Sequence, residues 1–224
     1  MTALKLFLFD LDGTLVSTGG AGLRALSKAF KEIYGINDAH LRINPAGKTD
    51  PAIFREVITV FLGRETTTLE IETISDCYLG HLKEEMRGAN PKILEGVFGF
   101  LEKVSAIKDI VIGLGTGNLE KGARLKLEPA GLNRFFPFGG FGSDHEERSE
   151  VLRWGHRRAQ DRTRQEIAPA SVFVIGDTPL DVAAAKQAGF CSVAVATGRS
   201  GRAELAAGQP DFLLSTLTDG DQIL

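Results

Sequence analysis

Asp10 and Asp12 stand two residues apart in the string Phe9-Asp10-Leu11-Asp12-Gly13-Thr14-Leu15, directly after the apolar run Leu4 to Phe9. If that run is a strand, both carboxylates leave its end on the same side and repel each other, which a hard divalent ion or a shared proton must relieve. Magnesium takes one or two carboxylates together with phosphate oxygens and water, so Asp10 is a candidate both for holding the ion and for attacking phosphorus. Asp12 is then free to serve as general acid and base. A strand closed by an ordinary Asp-Gly turn is the plain alternative, but the whole string is far rarer than the Asp-Gly pair.

Three further sites carry chemistry of the same kind. In Gly113-Leu114-Gly115-Thr116-Gly117-Asn118, a hydroxyl and small residues lie between an apolar run and a helical pattern, a turn that places Thr116, the N–H of Gly117 and Asn118 on a phosphate. A dinucleotide fingerprint would need glycine where Asn118 stands. A second carboxylate pair follows Val172 to Ile175 in Gly176-Asp177-Thr178-Pro179-Leu180-Asp181, with Asp177 completing the magnesium shell beside Asp10 and Asp12, and Asp181 orienting water on the ion from behind. Asp181 also suits the N-terminus of the next helix. So many acids around a phosphate require a cation. Arg148, after Gly142-Ser143-Asp144, is the first candidate and Lys186 the next; the competing reading of Arg148 is a surface arginine paired with Glu146, Glu147 or Glu150.

The elements that must position these residues are legible as alternation. Leu4 to Phe9, Ile110 to Leu114, Val172 to Ile175 and Val193 to Ala196 are continuous apolar runs, as strands buried on both faces require, and Phe138 to Phe141 and Phe212 to Leu214 are shorter candidates. Helical spacing separates them: Leu94, Val97, Leu101 and Val104; Ala123, Leu127 and Ala130; Asp181 to Ala188 with Gly189 as its stop. This predicts an α/β fold with a doubly wound parallel sheet, in which ligands bind beyond the carboxyl ends of the strands. From Val16 to Asn90 only helical patterns occur, including one from Asp50-Pro51 with Asp50 as N-cap. That stretch is a helical insert after the first strand, flanked by Ser17-Thr18-Gly19-Gly20 and Arg87-Gly88-Ala89-Asn90-Pro91 as hinges.

A net charge of -3 offers no overall field for nucleic acid or an anionic membrane. No apolar run approaches the roughly eighteen residues of a spanning helix, and the start from Met1 to Phe9 has no signal-peptide pattern. Cys77 and Cys191 form no C-x-x-C pair, which points to a reducing, cytoplasmic setting. His40, His81, His145 and His156 show no metal-ligand spacing, and the run Arg153, Arg157, Arg158, Arg162, Arg164 reads as a solvated helix face. The oligomeric state is left open.

With these motifs in place, the chain resembles the haloacid dehalogenase superfamily, and within it the phosphoglycolate phosphatase-like group. Asp10-Leu11-Asp12-Gly13-Thr14 resembles its first motif, of nucleophile and acid/base, in which the backbone carbonyl of Asp12 also binds the metal. Thr116 matches the second motif, and Asp177 and Asp181 the acidic fourth. The third motif is usually a lysine, where this chain offers Arg148; a guanidinium bridges nucleophile and phosphate with a different geometry from an ammonium. The resemblance implies a Rossmann-like catalytic core, residues 1–16 and 91–224, and a helical cap domain, residues 17–90. It implies a magnesium-dependent phosphatase acting on a small phosphorylated metabolite. Dehalogenases of the family lack an aspartate at the position of Asp12. A sugar phosphomutase shares all the motifs, and a catalytically silent binding protein is the alternative of another class. In the insert, Ala46-Gly47-Lys48-Thr49-Asp50 places a lysine before a helix start. Lys48 is expected to read a second anionic group of the substrate, against the plainer reading of a solvated lysine in a helix-entry turn.

Overall fold

The first apolar run forms β1 (Lys5–Phe9), and its alternation sends Phe7 and Phe9 to one face of a sheet and Leu6 and Leu8 to the other. Both faces are covered, which is why the run reads as continuously apolar. The computed structural model describes residues 4–224; the reading of Met1 to Ala3 lies outside the described residues. After β1 come β2 (Val16–Ser17), β3 (Lys92–Ile93), β4 (Ile110–Thr116), β5 (Gly139–Phe141), β6 (Val172–Gly176), β7 (Cys191–Val195) and β8 (Phe212–Leu214). Six of these make a parallel sheet in the order β5-β4-β1-β6-β7-β8, the doubly wound arrangement expected. Every anticipated strand is present, shifted by at most a few residues at its ends; β4 runs on to Thr116 itself.

The helices are α1 (Ala21–Tyr34), α2 (Asp50–Leu62), α3 (Thr68–Met86), α4 (Val97–Ser105), α5 (Glu120–Leu127), α6 (Arg148–Thr163), α7 (Pro179–Ala188) and α8 (Arg202–Ala207). On one face of the sheet Phe7, Phe9, Ile112, Leu114 and Ile175 pack against Phe100, Leu101 and Val104 of α4 and Ala123 and Leu127 of α5. On the other, Leu6, Leu8 and Val174 meet Leu152 and Ala159 of α6 and Ala184 and Ala185 of α7.

Helices α1, α2 and α3 share a separate apolar core around Phe30, Phe54, Val57, Ile74 and Tyr78. The expectation of no strand from Val16 to Asn90 is corrected at its edge: Val16 and Ser17 pair antiparallel with Lys92 and Ile93, so the two chain crossings between insert and core are tied in one short ribbon. Asp50 is also not the N-cap of α2. Thr49 holds that place, its hydroxyl accepting from Ala52 N, and this leaves the Asp50 carboxylate free to bond elsewhere. In the arginine run, Arg158 departs from a solvated face: both its terminal nitrogens donate to Asp144, at 2.6 and 2.7 Å, fixing the loop after β5.

Candidate active site

Asp10 follows β1 at the carboxyl edge of the sheet, and its N–H donates to Ile175 O of β6 at 2.8 Å, so the backbone that carries it is held between two strands. Thr116 ends β4, Asp177 follows β6, and Arg148 opens α6 after the loop from β5. The crossover topology thus brings four distant segments to one edge. Gly13 adopts φ 85°, and a Cβ there would stand 2.4 Å from Asp177 Oδ2, so glycine is needed both for the turn and for the approach of the two acidic motifs.

Arg148 is 8% exposed and lies between two carboxylates, its Nη2 2.8 Å from Asp10 Oδ1 and 2.5 Å from Asp181 Oδ1. Its N–H directions miss both oxygens, so these are close charge contacts, and Arg148 Nε, Arg148 Nη2 and Asp181 Oδ1 keep unused hydrogen-bonding capacity. The surface-arginine reading of Arg148 fails. Asp181 serves two ends: Oδ2 accepts from Thr178 N–H at 3.0 Å and from the Thr178 hydroxyl at 2.6 Å in a capping box, while Oδ1 faces Arg148. Lys186, the reserve cation, is elsewhere; its Nζ donates to Gly208 O.

The second cation is one the sequence reading passed over. Lys126 of α5 is buried, and its Nζ donates to Asp12 Oδ2 at 2.5 Å and to Asn118 Oδ1 at 2.6 Å. Asn118 Nδ2 in turn donates to Asp12 Oδ2 at 3.0 Å and to Thr116 Oγ1 at 2.9 Å. Burial opposes the charge of Lys126, but the carboxylates of Asp12 and Asp50 outweigh it and raise the pKa. A signal for Lys126 was present: it falls on the apolar stripe of α5 with Ala123 and Leu127, where a lysine has no place unless something buried holds it.

A cavity of about 380 Å³ opens over these groups. Asp10, Asp12, Gly117, Asn118, Lys126, Arg148 and Asp177 form its floor, and Leu23, Leu26, Lys48, Ile53, Phe54 and Tyr78 its roof. Thr116 is fully buried and is not on the wall; its hydroxyl accepts from Asn118. Roof and floor meet at the loop before α2. Asp50 N–H donates to Gly117 O at 2.8 Å, Asp50 Oδ2 accepts from Leu119 N–H at 2.8 Å, and a Cβ on Gly117 would fall 2.3 Å from Lys48 O. Lys48 reaches the chamber but is paired with Glu56 at 2.5 Å.

A family model for haloacid dehalogenase-like hydrolases matches residues 4–189. The chain belongs to that family. Among curated proteins this hydrolase is 25% identical over 222 residues to a phosphoglycolate phosphatase of Synechococcus elongatus, covering 96% of this chain and 95% of that one. It is 26% identical over 225 residues to the pyrophosphatase PpaX of Listeria monocytogenes, covering 95% and 92%. Its fold matches that of CbbY from Rhodobacter sphaeroides, solved in complex with phosphate, with a TM-score of 0.71, 20% identity and 96% of each chain covered. The family read from the motifs and the doubly wound α/β fold are both borne out.

Carboxylate oxygens of Asp10, Asp177 and Asp181 lie within 4.8 Å of one another in this hydrolase, all buried. A buried set of carboxylate oxygens fits a hard divalent cation. Burial, opposed by Arg148, pushes the Asp10 carboxyl up from its ordinary range; burial, then the charges of Asp181 and Asp10, push Asp177 up to about 8. Without metal, the folded chain therefore keeps a proton on Asp177 that the unfolded chain releases near 3.8, so this group lowers stability progressively as pH rises from 3.8 to about 8. Asp177→Asn is expected to raise the Tm of the metal-free protein near the top of that window by a few degrees, about 1 kcal/mol. If the cluster holds a divalent cation, the variant is also expected to lose the Tm rise that the cation gives the parent. Thermal melts with chelator and with Mg²⁺ check both; a variant that melts lower than the parent without metal, or that keeps the Mg²⁺ response, contradicts the assignment.

Proposed function

We infer that this hydrolase is a magnesium-dependent phosphatase that cleaves a small phosphate monoester through an aspartyl-phosphate on Asp10. The observation that carries this reading is the pairing of two unlike aspartates on one chamber floor: Asp10, buried beside Arg148, and Asp12, partly open and held by Lys126 and Asn118. A carboxylate against a guanidinium is an attacking group beside a binder of phosphate oxygens, and a carboxyl anchored through one oxygen leaves the other for a proton transfer.

Asp10, Asp177 and the backbone carbonyl of Asp12 would hold Mg²⁺, with Asp181 supporting from behind; the ion supplies charge neutralisation of the phosphate oxygens. Asp10 attacks phosphorus while Asp12 gives its proton to the departing alkoxide. Asp12 then takes a proton from the water that releases phosphate from Asp10. Thr116 acts here through Asn118, and Asn118 and Gly117 line the phosphate's place. Residues 17–90 act as the cap, opening on the stretches beside the β2–β3 ribbon.

Lys126 is expected to matter through Asp12. Lys126→Met should lower kcat at least about tenfold for alkyl phosphates, whose leaving group needs a proton, and much less for aryl phosphates. Equal losses on both would reduce Lys126 to a structural support.

The names of the curated relatives and the compact chamber favour a small phosphorylated metabolite such as phosphoglycolate, with Lys48 reading its second anionic group. The test is phosphate release from a panel of phosphorylated metabolites, with Mg²⁺ and with chelator, together with product analysis on hexose phosphates. Free phosphate supports the phosphatase; an isomerised sugar phosphate without release would make the protein a mutase, and no turnover of anything would make it a binding protein. For the best substrate, Lys48→Ala is expected to lower kcat/KM at least about tenfold, the size of a partly desolvated charged contact, while p-nitrophenyl phosphate is spared. Two free cysteines fit a reducing cytoplasmic setting.

A further inference from the structure

Helices α1 and α3 run antiparallel, and their outer seam carries residues four apart on both sides. Arg24, Lys28 and Glu32 on α1 face Glu85, His81 and Cys77 on α3. The first rungs are ion pairs, with Arg24 Nε 2.7 Å from one Glu85 oxygen and Lys28 on the other. The last rung is of another kind. A carboxylate oxygen of Glu32, the thiol sulfur of Cys77 and an imidazole nitrogen of His81 all lie within 4.8 Å of one another, and His81 Nε2 is 2.7 Å from Glu32 Oε2.

We propose that Glu32, Cys77 and His81 form a second metal site, on the cap, which takes Zn²⁺ with water as its fourth ligand. A four-residue step on one helix puts Cys77 and His81 on the same side one turn apart, and the neighbouring helix supplies the third donor. Sulfur, nitrogen and one carboxylate oxygen suit zinc and not magnesium, which asks for oxygen alone. The Asp10, Asp177 and Asp181 cluster is the reverse case, so the two sites select different ions.

Bonds of about 2.0–2.3 Å to a tetrahedral ion bring donors to roughly 3.5 Å from one another. The donors lie within 4.8 Å of one another, so binding would ask the 2.7 Å contact between His81 and Glu32 to open and the wider pairs to close, by rotation of the three side chains, of which that of Glu32 is 64% exposed. On binding, the Cys77 thiol gives its proton to solvent and the sulfur takes the ion; the imidazole binds as the neutral base. The bound ion would pin the first helix of the cap to the last. Along the chain His81 has no metal-ligand spacing to another histidine and Cys77 no C-x-x-C partner; the spacing from Cys77 to His81 gains meaning only when Glu32 arrives from another helix.

The experiment uses the full chain under a non-chelating phosphine reductant, with excess Mg²⁺ to keep the acidic cluster occupied. Zn²⁺ is titrated against a chromophoric chelator, and Co²⁺ is used as a spectroscopic substitute. One equivalent of Zn²⁺ is expected to be taken up by the parent, with a thiolate-to-cobalt charge-transfer band for Co²⁺. Cys77→Ser should abolish the band, and Cys77→Ser and His81→Asn should each weaken Zn²⁺ at least about tenfold, the loss seen even for outer-shell partners of metal sites. Absence of the band in the parent, or unchanged Zn²⁺ uptake in both variants, would overturn the site. Circular dichroism checks that the variants fold; should either fail, exposed Glu32→Gln gives the same comparison, with unweakened Zn²⁺ as the overturning result.

Discussion

Asp10→Asn is expected to eliminate phosphate release while the protein folds as before. The amide has nearly the shape of the carboxylate but cannot attack phosphorus, so the chemical step loses its nucleophile rather than its geometry. The folded state should gain slightly, because Asp10 is buried against Asp181 and Asp177 and burial already pushes its carboxyl up. Losses of a thousandfold or more are the order expected when a covalent nucleophile is removed. The informative comparison is a single preparation assayed for steady-state release and for phosphorylation of the protein by an acyl or aryl phosphate. Parent protein should trap acid-stable, hydroxylamine-labile phosphate and the variant none. Residual turnover above a few per cent, in protein free of contaminating phosphatase, would remove Asp10 from the mechanism.

Arg148→Ala should fail in two ways at once. Arg148 is buried between Asp10 and Asp181, and each partner raises its pKa against the opposing effect of burial. Its removal leaves two buried carboxylates facing each other without a fixed cation, the situation that typically costs about 3–5 kcal/mol. Metal-free melts should therefore fall clearly, and added Mg²⁺ should recover part of the loss if the proposed ion site draws on the same acidic cluster. Activity should fall at least about tenfold in kcat even when Mg²⁺ is saturating, since a desolvated cation would have left the proposed phosphoryl-transfer site. Arg148→Lys keeps a charge near the oxygens but not the planar fork, so an intermediate kcat is expected. A silent Arg148→Ala would pass the charge-balancing role to Lys126, the other buried cation on the chamber floor.

Much of the site could be read because strand and chemistry are adjacent in the chain. A strand buried on both faces must be apolar throughout, so an acid immediately after it is conspicuous, and this holds for Asp10 after β1 and Asp177 after β6. The helices of the insert were legible from periodicity alone, and its edge strands were not. A two-residue ribbon such as Val16–Ser17 with Lys92–Ile93 has no period to detect and exists only because its halves meet. The placing of Asp50 failed for a related reason, since Thr49 and Asp50 are both competent caps and the choice fell to whichever was not needed elsewhere. Leu119 N–H claimed the Asp50 carboxylate.

By itself the sequence determined the fold class and the family, and it singled out Asp10, Asp12 and Asp177 as candidates for nucleophile, acid and metal ligands because each stands at or just past a strand end. Tertiary structure decided which charges touch. It placed Lys126 on Asp12, Arg148 between Asp10 and Asp181, Thr116 below the chamber wall, and Glu32 beside Cys77 and His81. Coulombic and hydrogen-bonding energies depend on separations of a few ångströms in a water-poor environment, and those separations are set by how helices cross a sheet rather than by distance along the chain.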